Sequence, residues 1–350
     1  MKEKLKKFIS NLKKYRLMFL SAVVSAVVFY GIAALLLQRA FVLNSIKGEI
    51  NKAIASLNEA GYDAAYEHIG FSTFPFLPMV RIENFKIYSL RPGNYYEWST
   101  PELTLDAGIF APDHLSLSFD RYHEFRKNDK KYPAEFPVLD IDFHFDDKNG
   151  VTNITAEGIG LNIQGLFSVG GLKFAAQRMS PLQINELAPF FENHLDAQDI
   201  VIAEDIDIPL LKHIERLYLN ANIIGVMNSS ATYGESINNW LRLGGIIDIK
   251  KIIINWHPLV LVGRGDLYFN EQKEPVLHLN TSSKALLETM DKLQDVFLDR
   301  KGVFVAKILL NNKAFKLSKD DKYDTVTTPI NVNSNQILIE NIPVKTFQPQ

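Results

Sequence analysis

The chain contains no cysteine in its 350 residues. That absence excludes a disulfide scaffold, a thiolate metal centre and a cysteine nucleophile, and it suits an oxidising compartment. A surplus of either charge is missing too. The 38 Lys and Arg stand against 40 Asp and Glu, for a net charge of −2, so no folded part offers the basic field that recruits nucleic acid, and no nucleic-acid partner is expected. No GxxxxGK[ST] loop, GxGxxG fingerprint, HExxH pair or GxSxG elbow occurs, which removes the common signatures of nucleotide binding, zinc proteolysis and serine hydrolysis. Ser168, within GLFSVGG, lacks the elbow spacing. The chain is instead rich in apolar residues, 47% of the total, enough for a sizeable core.

Those residues are unevenly placed. LMFLSAVVSAVVFYGIAALLL, residues 17 to 37, is free of charge. As a helix rising ~1.5 Å per residue it matches a hydrocarbon layer roughly 30 Å thick. It is longer than a signal peptide's apolar region and no small-x-small cleavage site follows it. Lys2, Lys4, Lys6, Lys7, Lys13, Lys14 and Arg16 precede it, against Arg39 and Lys47 after it. The positive-inside rule then keeps the N-terminus in the cytoplasm and exports the remainder, in a bacterial setting to the periplasm. The expected organisation is a basic cytoplasmic tail (1–16), a transmembrane helix (17–38), an amphipathic stalk helix (39–61) and an exported β-rich domain (62–350), the last divisible into 62–200 and 201–350. In the stalk, Ile46, Ile50, Ile54 and Leu57 recur about one turn apart and Gly61 stands where a helix would stop.

Beyond the stalk the period changes to two. VRIENFKIY (80–88), ELTLDAGIF (102–110), LSLSF (115–119), VLDIDFHF (138–145) and ITAEGIGLNIQGLF (154–167) read as strands. So do IERLYLNANIIGV (214–226), GIIDIKKIII (245–254), the stretch from Asn255 to Pro275, VLHLN (276–280), VFVAKILLN (303–311) and INVNSNQILIENIPV (330–344). Helical crossovers have little room between them, so the sheet should be mainly antiparallel. A helix is expected from Ser180 to about Pro189, a second over 282–302 with Leu286, Leu287, Met290, Leu293, Val296 and Phe297 on one face, and a short third at 235–243. The fold class is mainly β: an elongated, curved, mostly antiparallel sheet or a two-layer β assembly, with two or three covering helices. So few helices leave apolar sheet to be covered by a second layer, by curling or by a ligand.

Two polar constellations interrupt the strands. Asp140, Asp142, His144 and Asp146 alternate along one strand and project to one side, with Ile141, Phe143 and Phe145 on the other. Same-side neighbours lie about 6.6–6.8 Å apart, so the row reads as a strand with one wet face, and no metal is expected there. In NWHPLVLVGRGDLYF, Arg264 and Asp266 fall on the solvated face and are poor catalytic candidates. Leu261, Gly263, Gly265 and Leu267 share the apolar face, which the glycines leave thin. Either a neighbouring group packs closely there, or these residues together with Leu286, Leu287, Met290 and Leu293 line an apolar groove.

Trp240, Gly244 and Gly245, then Trp256, Pro258, Leu259, Leu261, Gly263, Gly265 and Leu267, then an amphipathic helix, resemble domain-of-unknown-function family 2125 of alphaproteobacteria. GFSTFPFLPMVRIENFKI (70–87) and WSTPELTL (98–105) are similar to its early part and, more distantly, to AsmA-like envelope proteins. The resemblance implies a long curved sheet with an apolar groove, associated with lipid handling, and it offers no catalytic residue and no cofactor. The expected function is therefore non-enzymatic: an inner-membrane-anchored periplasmic protein that handles lipid in the envelope, with the bilayer, a bound phospholipid and other envelope proteins as partners. An anchored scaffold for envelope proteins and an exported hydrolase are the alternatives.

Overall fold

The computed structural model describes residues 48–347 except 49, 53, 56, 59–60, 72–78, 90–94, 108–112, 147–149, 180–188, 207–209, 226–238, 271, 273, 295–297 and 316–322. The basic tail, the transmembrane helix expected at 17–38 and the helix expected at 180–188 lie outside the described residues. Among the described residues no helix is long and apolar enough to cross a membrane.

The protein is mainly β, and the described residues form eighteen strands in a single sheet, with every strand pair among them antiparallel. The strands are β1 (Tyr62–Ala65), β2 (His68–Phe71), β3 (Met79–Ser89), β4 (Tyr96–Ala107), β5 (His114–Phe119), β6 (Tyr122–Lys127), β7 (Lys130–Glu135), β8 (Val138–Asp146) and β9 (Gly150–Ile163). They continue as β10 (Phe167–Arg178), β11 (Pro189–Ile202), β12 (His213–Ile224), β13 (Ile246–Trp256), β14 (Leu259–Phe269), β15 (Pro275–Lys284), β16 (Thr325–Val332), β17 (Gln336–Ile339) and β18 (Ile342–Thr346). Both β1 and β2 pair with β3, β5 and β6 both pair with β4, and β7 and β8 both pair with β9. These three couples are long strands interrupted by one kink, so the sheet is an uninterrupted meander. β11 runs through position 200 without a break, and the 62–200 and 201–350 regions therefore share one sheet.

Register carries the apolar pattern across the whole meander. Val80, Leu105, Leu117, Ile141, Ala156, Phe174, Leu195, Leu219, Ile252, Gly263, Thr281 and Thr328 stand opposite one another from strand to strand. Directly opposed residues share a face, so these define the inner face. The neighbouring outer row runs Ser118, Asp140, Glu157, Lys173, Asp196 and Tyr218. It is laced with exposed pairs such as Lys173–Glu157 at 3.1 Å and the two-pronged Arg216–Asp196 at 2.9 and 2.8 Å. The Arg216 guanidinium holds the Asp196 carboxyl below its usual range.

A transverse crease crosses the first half of the sheet. Residues three apart in a regular strand point to opposite faces. Here Ile82 and Phe85 join one core cluster, while Phe136 and Leu139, Leu172 and Val169, and Ala197 and Ile200 join another. Each of these strands takes in one extra residue at the crease and so returns its apolar side chains to the inner face. Asn84, Gly160 and Asp199 absorb the insertion with positive φ of 51°, 67° and 53°. The register sets Pro137, Gly160, Gly170 and Asp199 in line.

Two helices cover the C-terminal end: α1 (Leu286–Leu293) and α2 (Arg300–Asn311). The expected single helix over 282–302 is replaced by the end of β15, then α1, and Gly302 lies inside α2 rather than at a stop. Residues 303–311, expected as a strand, are helical, because Val303, Ala306 and Leu310 at i, i+3 and i+7 are buried with Leu286, Met290, Val326 and Val344. A short continuous apolar run does not by itself separate strand from buried helix. Gly302 permits the contact, since a Cβ there would lie 2.0 Å from the Pro343 carbonyl oxygen. At the other end the stalk is helical at its described positions between 48 and 58. Ile50 packs on Ile69, Val80, Ile82 and Leu103, and Gly61 closes the segment at φ 85°.

The expected strand over 154–167 turns at Gln164–Leu166 and divides into β9 and β10, and 330–344 divides into β16, β17 and β18. Glu340 and Asn341, at φ 53° and 63°, make the two-residue hairpin turn before β18.

Gly265 shows how closely strands β14 and β15 approach. A Cβ on Gly265 would lie 1.8 Å from the His278 carbonyl oxygen. Gly265→Ala should therefore force the two backbones apart and cost about 1–3 kcal/mol, seen as a lower thermal midpoint. An unchanged midpoint would show that the strands part without penalty.

Candidate functional site

The polar groups singled out in the sequence are engaged with neighbours on the adjacent strands. Asp140 accepts a hydrogen bond from Ser118 at 2.7 Å. Asp142 Oδ1 receives both the Ser116 hydroxyl and, at 3.1 Å, His114 Nε2, while the His114 and His144 rings stack 4.7 Å apart. Ser116 thus donates to a carboxylate that the imidazole shares, and its hydroxyl lies 3.5 Å from His114 Nε2. Among the described residues no group of three or more His, Asp or Glu could hold a metal ion. Arg264 is exposed, and Asp266 lies 3.6 Å from His278 on the next strand.

Of the residues expected to form a groove, Leu261, Gly263, Leu286 and Met290 are buried and the other four are partly buried. Leu286 and Met290 are the buried side of α1 in the core shared with α2, with Leu287, Leu293 and Leu259 against that core. Leu261 and Gly263 are buried on β14, whereas Gly265 and Leu267 are half-buried further along it. The paired tryptophans and glycines are structural as well. The Trp240 indole donates to the Ile224 carbonyl at 2.9 Å and covers Gly245, where a Cβ would lie 2.1 Å from its ring. The Trp256 indole donates to the Leu211 carbonyl at 2.5 Å.

The opening lies at the other end of the inner face. Ala64, Ile87, Trp98, Phe125 and Tyr132 stand opposite one another on β1, β3, β4, β6 and β7. The next row outward is Tyr62, Ser89, Tyr96 and Lys127. Between them is an open trough of about 470 Å³ floored by Ile87, Trp98, Phe125, Tyr132 and Ile163, with Tyr62, Tyr96 and Lys127 at its mouth. Its size is that of a small-ligand site. Lys127 Nζ lies 5.5 Å above the Tyr96 ring, which holds the one inward-facing cation of this row at the sheet end. The Trp98 Nε1 proton, buried beside this floor, meets no acceptor among the described residues. The trough offers an apolar slot whose lining also carries the charged Glu97, Arg126 and Lys127 and the hydroxyls of Tyr62 and Tyr96.

Behind the floor, His123 is enclosed by aromatic rings: Phe136 at 4.4 Å, Trp98 at 5.9 Å and Phe119 at 6.3 Å. Burial pushes its pKa below the ordinary value, only partly offset by hydrogen bonding to the Asp120 backbone and by the Asp120 charge. A periodicity reading misses this site because RYHEFRKNDKKYPAEF, residues 121–136, is dominated by charge. Its inward residues His123, Phe125, Tyr132 and Ala134 are the readable trace.

A family model described as an uncharacterized protein conserved in bacteria (DUF2125) matches residues 40–346. No curated protein matches the chain.

The enclosed histidine gives the fold a pH dependence of known sign. Below about pH 6.5 the unfolded chain binds a proton at this position that the folded protein resists, so the stability present above that value is lost as pH falls. His123→Phe should flatten this slope. Relative to the natural protein its thermal midpoint should rise steadily from pH 7.5 to pH 5, and parallel curves would show that His123 protonates without cost.

Proposed function

The chain belongs to the uncharacterised bacterial family DUF2125, and from the trough on its sheet we propose that it is a non-enzymatic envelope protein that holds the acyl chain of a membrane lipid. In this reading residues 17–38 anchor the chain in the inner membrane with the N-terminus in the cytoplasm, and the sheet stands in the periplasm. The observation that carries the proposal is the open apolar slot with Lys127, Tyr62 and Tyr96 at one end. An acyl chain would displace water from Ile87, Trp98, Phe125 and Ile163, gaining about 0.8 kcal/mol per buried CH₂, while the ammonium and hydroxyls face an anionic headgroup. The uncharged N-terminal segment supports the location.

Trp98 makes the proposal measurable, because the three tryptophans lie at 98, 240 and 256 and none falls in the 17–38 segment. Lipids brominated along the acyl chain, added to full-length protein in detergent, should quench fluorescence, and Trp98→Phe should remove the quenched component. Ile163→Glu, which puts a charge on the floor, should weaken lipid binding by roughly tenfold or more, ~1.4 kcal/mol per factor of ten. Quenching that survives Trp98→Phe unchanged, or binding indifferent to Ile163→Glu in a folded protein, would place the lipid elsewhere.

A further inference from the structure

Helix α2 is apolar on two opposite sides. Val303, Ala306 and Leu310 are fully buried against the sheet end. Phe304, Val305, Ile308 and Leu309 stand open on the far side, at 68%, 44%, 51% and 41% exposure. At 100° per residue these four centre on the side away from the buried three. Phe315, 47% exposed, lies just beyond the helix. A helix apolar all round is normally enclosed, and a contiguous open patch of large apolar residues marks a contact surface.

The chemistry around the patch selects the contact. The helix, RKGVFVAKILLN, contains no acidic residue, and Lys301 projects at the N-terminal end of the open face. Lys307 is paired with Asp291 and Lys313 with Glu340, which holds these side chains along the sides of the helix. Between Phe304 and Leu309 the open face has no hydroxyl, amide or indole, and the Asn311 amide borders its C-terminal end. A protein interface is ordinarily stitched by about one hydrogen bond per 100–200 Å², and Phe304, Val305, Ile308 and Leu309 supply no side-chain donor or acceptor for one. A convex stripe of Phe, Val, Ile and Leu flanked by lysine fits a lipid surface, in which such a helix settles about 5–10 Å into the boundary of headgroups and chains while lysine reaches the phosphates.

We propose that α2 is a membrane-contacting helix that lays Phe304, Val305, Ile308 and Leu309 on an anionic lipid bilayer. This rests on the reading that the chain resides at a membrane and does not depend on what the trough holds. With the N-terminal segment as one attachment, α2 becomes a second, at the opposite end of the meander in sequence.

Because the chain has no cysteine, Ile308→Cys in the full-length protein takes an environment-sensitive fluorophore at one site. Lys173→Cys, on the outer face of β10, serves as the control. The labelled proteins are reconstituted into phosphatidylethanolamine–phosphatidylglycerol vesicles or phosphatidylcholine vesicles, and flotation is measured first. At 308 the emission should shift to the blue and be quenched by headgroup-proximal nitroxide lipids in the phosphatidylglycerol vesicles, less so in phosphatidylcholine, with the 173 label unmoved. Adding Phe304→Ser and Leu309→Ser should abolish the quenching. A chain that does not float overturns the membrane reading and this proposal together. A chain that floats with its 308 label in water, or with that label shielded but untouched by the nitroxide lipids, overturns this proposal alone, the second case meaning that another copy or another part of the chain covers α2.

Discussion

The structure depends on one constraint: each strand must hydrogen-bond to its sequence neighbours while keeping alternate side chains on the same face. Backbone N–H and C=O groups are satisfied by the adjacent strand, and the period of two then decides which residues meet inside. A slip of one residue anywhere would turn Phe174, Leu195 and Leu219 outward and bring Lys173 and Asp196 in. The crease at Asn84, Gly160 and Asp199 shows the same constraint under load. There several strands take in an extra residue, at positions aligned by register, and the inner face continues on both sides.

That continuity gives the two ends of the inner face different fates. At the C-terminal end α1 and α2 close it, with Leu286, Met290, Val303 and Leu310 forming a dry core on β16 and β18. Beyond the crease, Trp98, Phe125 and Tyr132 floor an open trough, and the polar residues collect at the outermost row, where Tyr96 and Lys127 stand. The glycines distribute the backbone more than they shape a cavity: Gly245 receives an indole, Gly265 a strand and Gly302 a strand carbonyl.

Much of the sheet is legible in the sequence where one face stays apolar over several alternations, as in β3, β5, β8 and β12 to β15. The outer face of Asp140, Asp142 and His144 is legible for the same reason. Two kinds of segment are not. VFVAKILLN has apolar residues at helical and strand spacings alike, so its state is settled by the burial of Val303, Ala306 and Leu310, which only the packed molecule supplies. Residues 121–136 alternate too, but charge on the outer positions hides the apolar ones. The trough was further out of reach because its residues come from β1, β3, β4, β6, β7 and the end of β9, far apart in sequence and joined only by register. The thin glycines left two readings open, and Gly265 accompanies close approach of a neighbouring backbone.

A meander in which partners are always successive has a consequence for how the chain reaches its fold. No strand waits for one synthesised much later, so loop-closure entropy stays small at each step and pairing can proceed hairpin by hairpin as the chain emerges. Each incomplete intermediate exposes just one growing edge, and the final strands β17 and β18, with α2 packed on them, are the last to end that exposure. Such a sheet can also gain or lose a hairpin at an edge without rewiring the remainder, much as stacked repeats do.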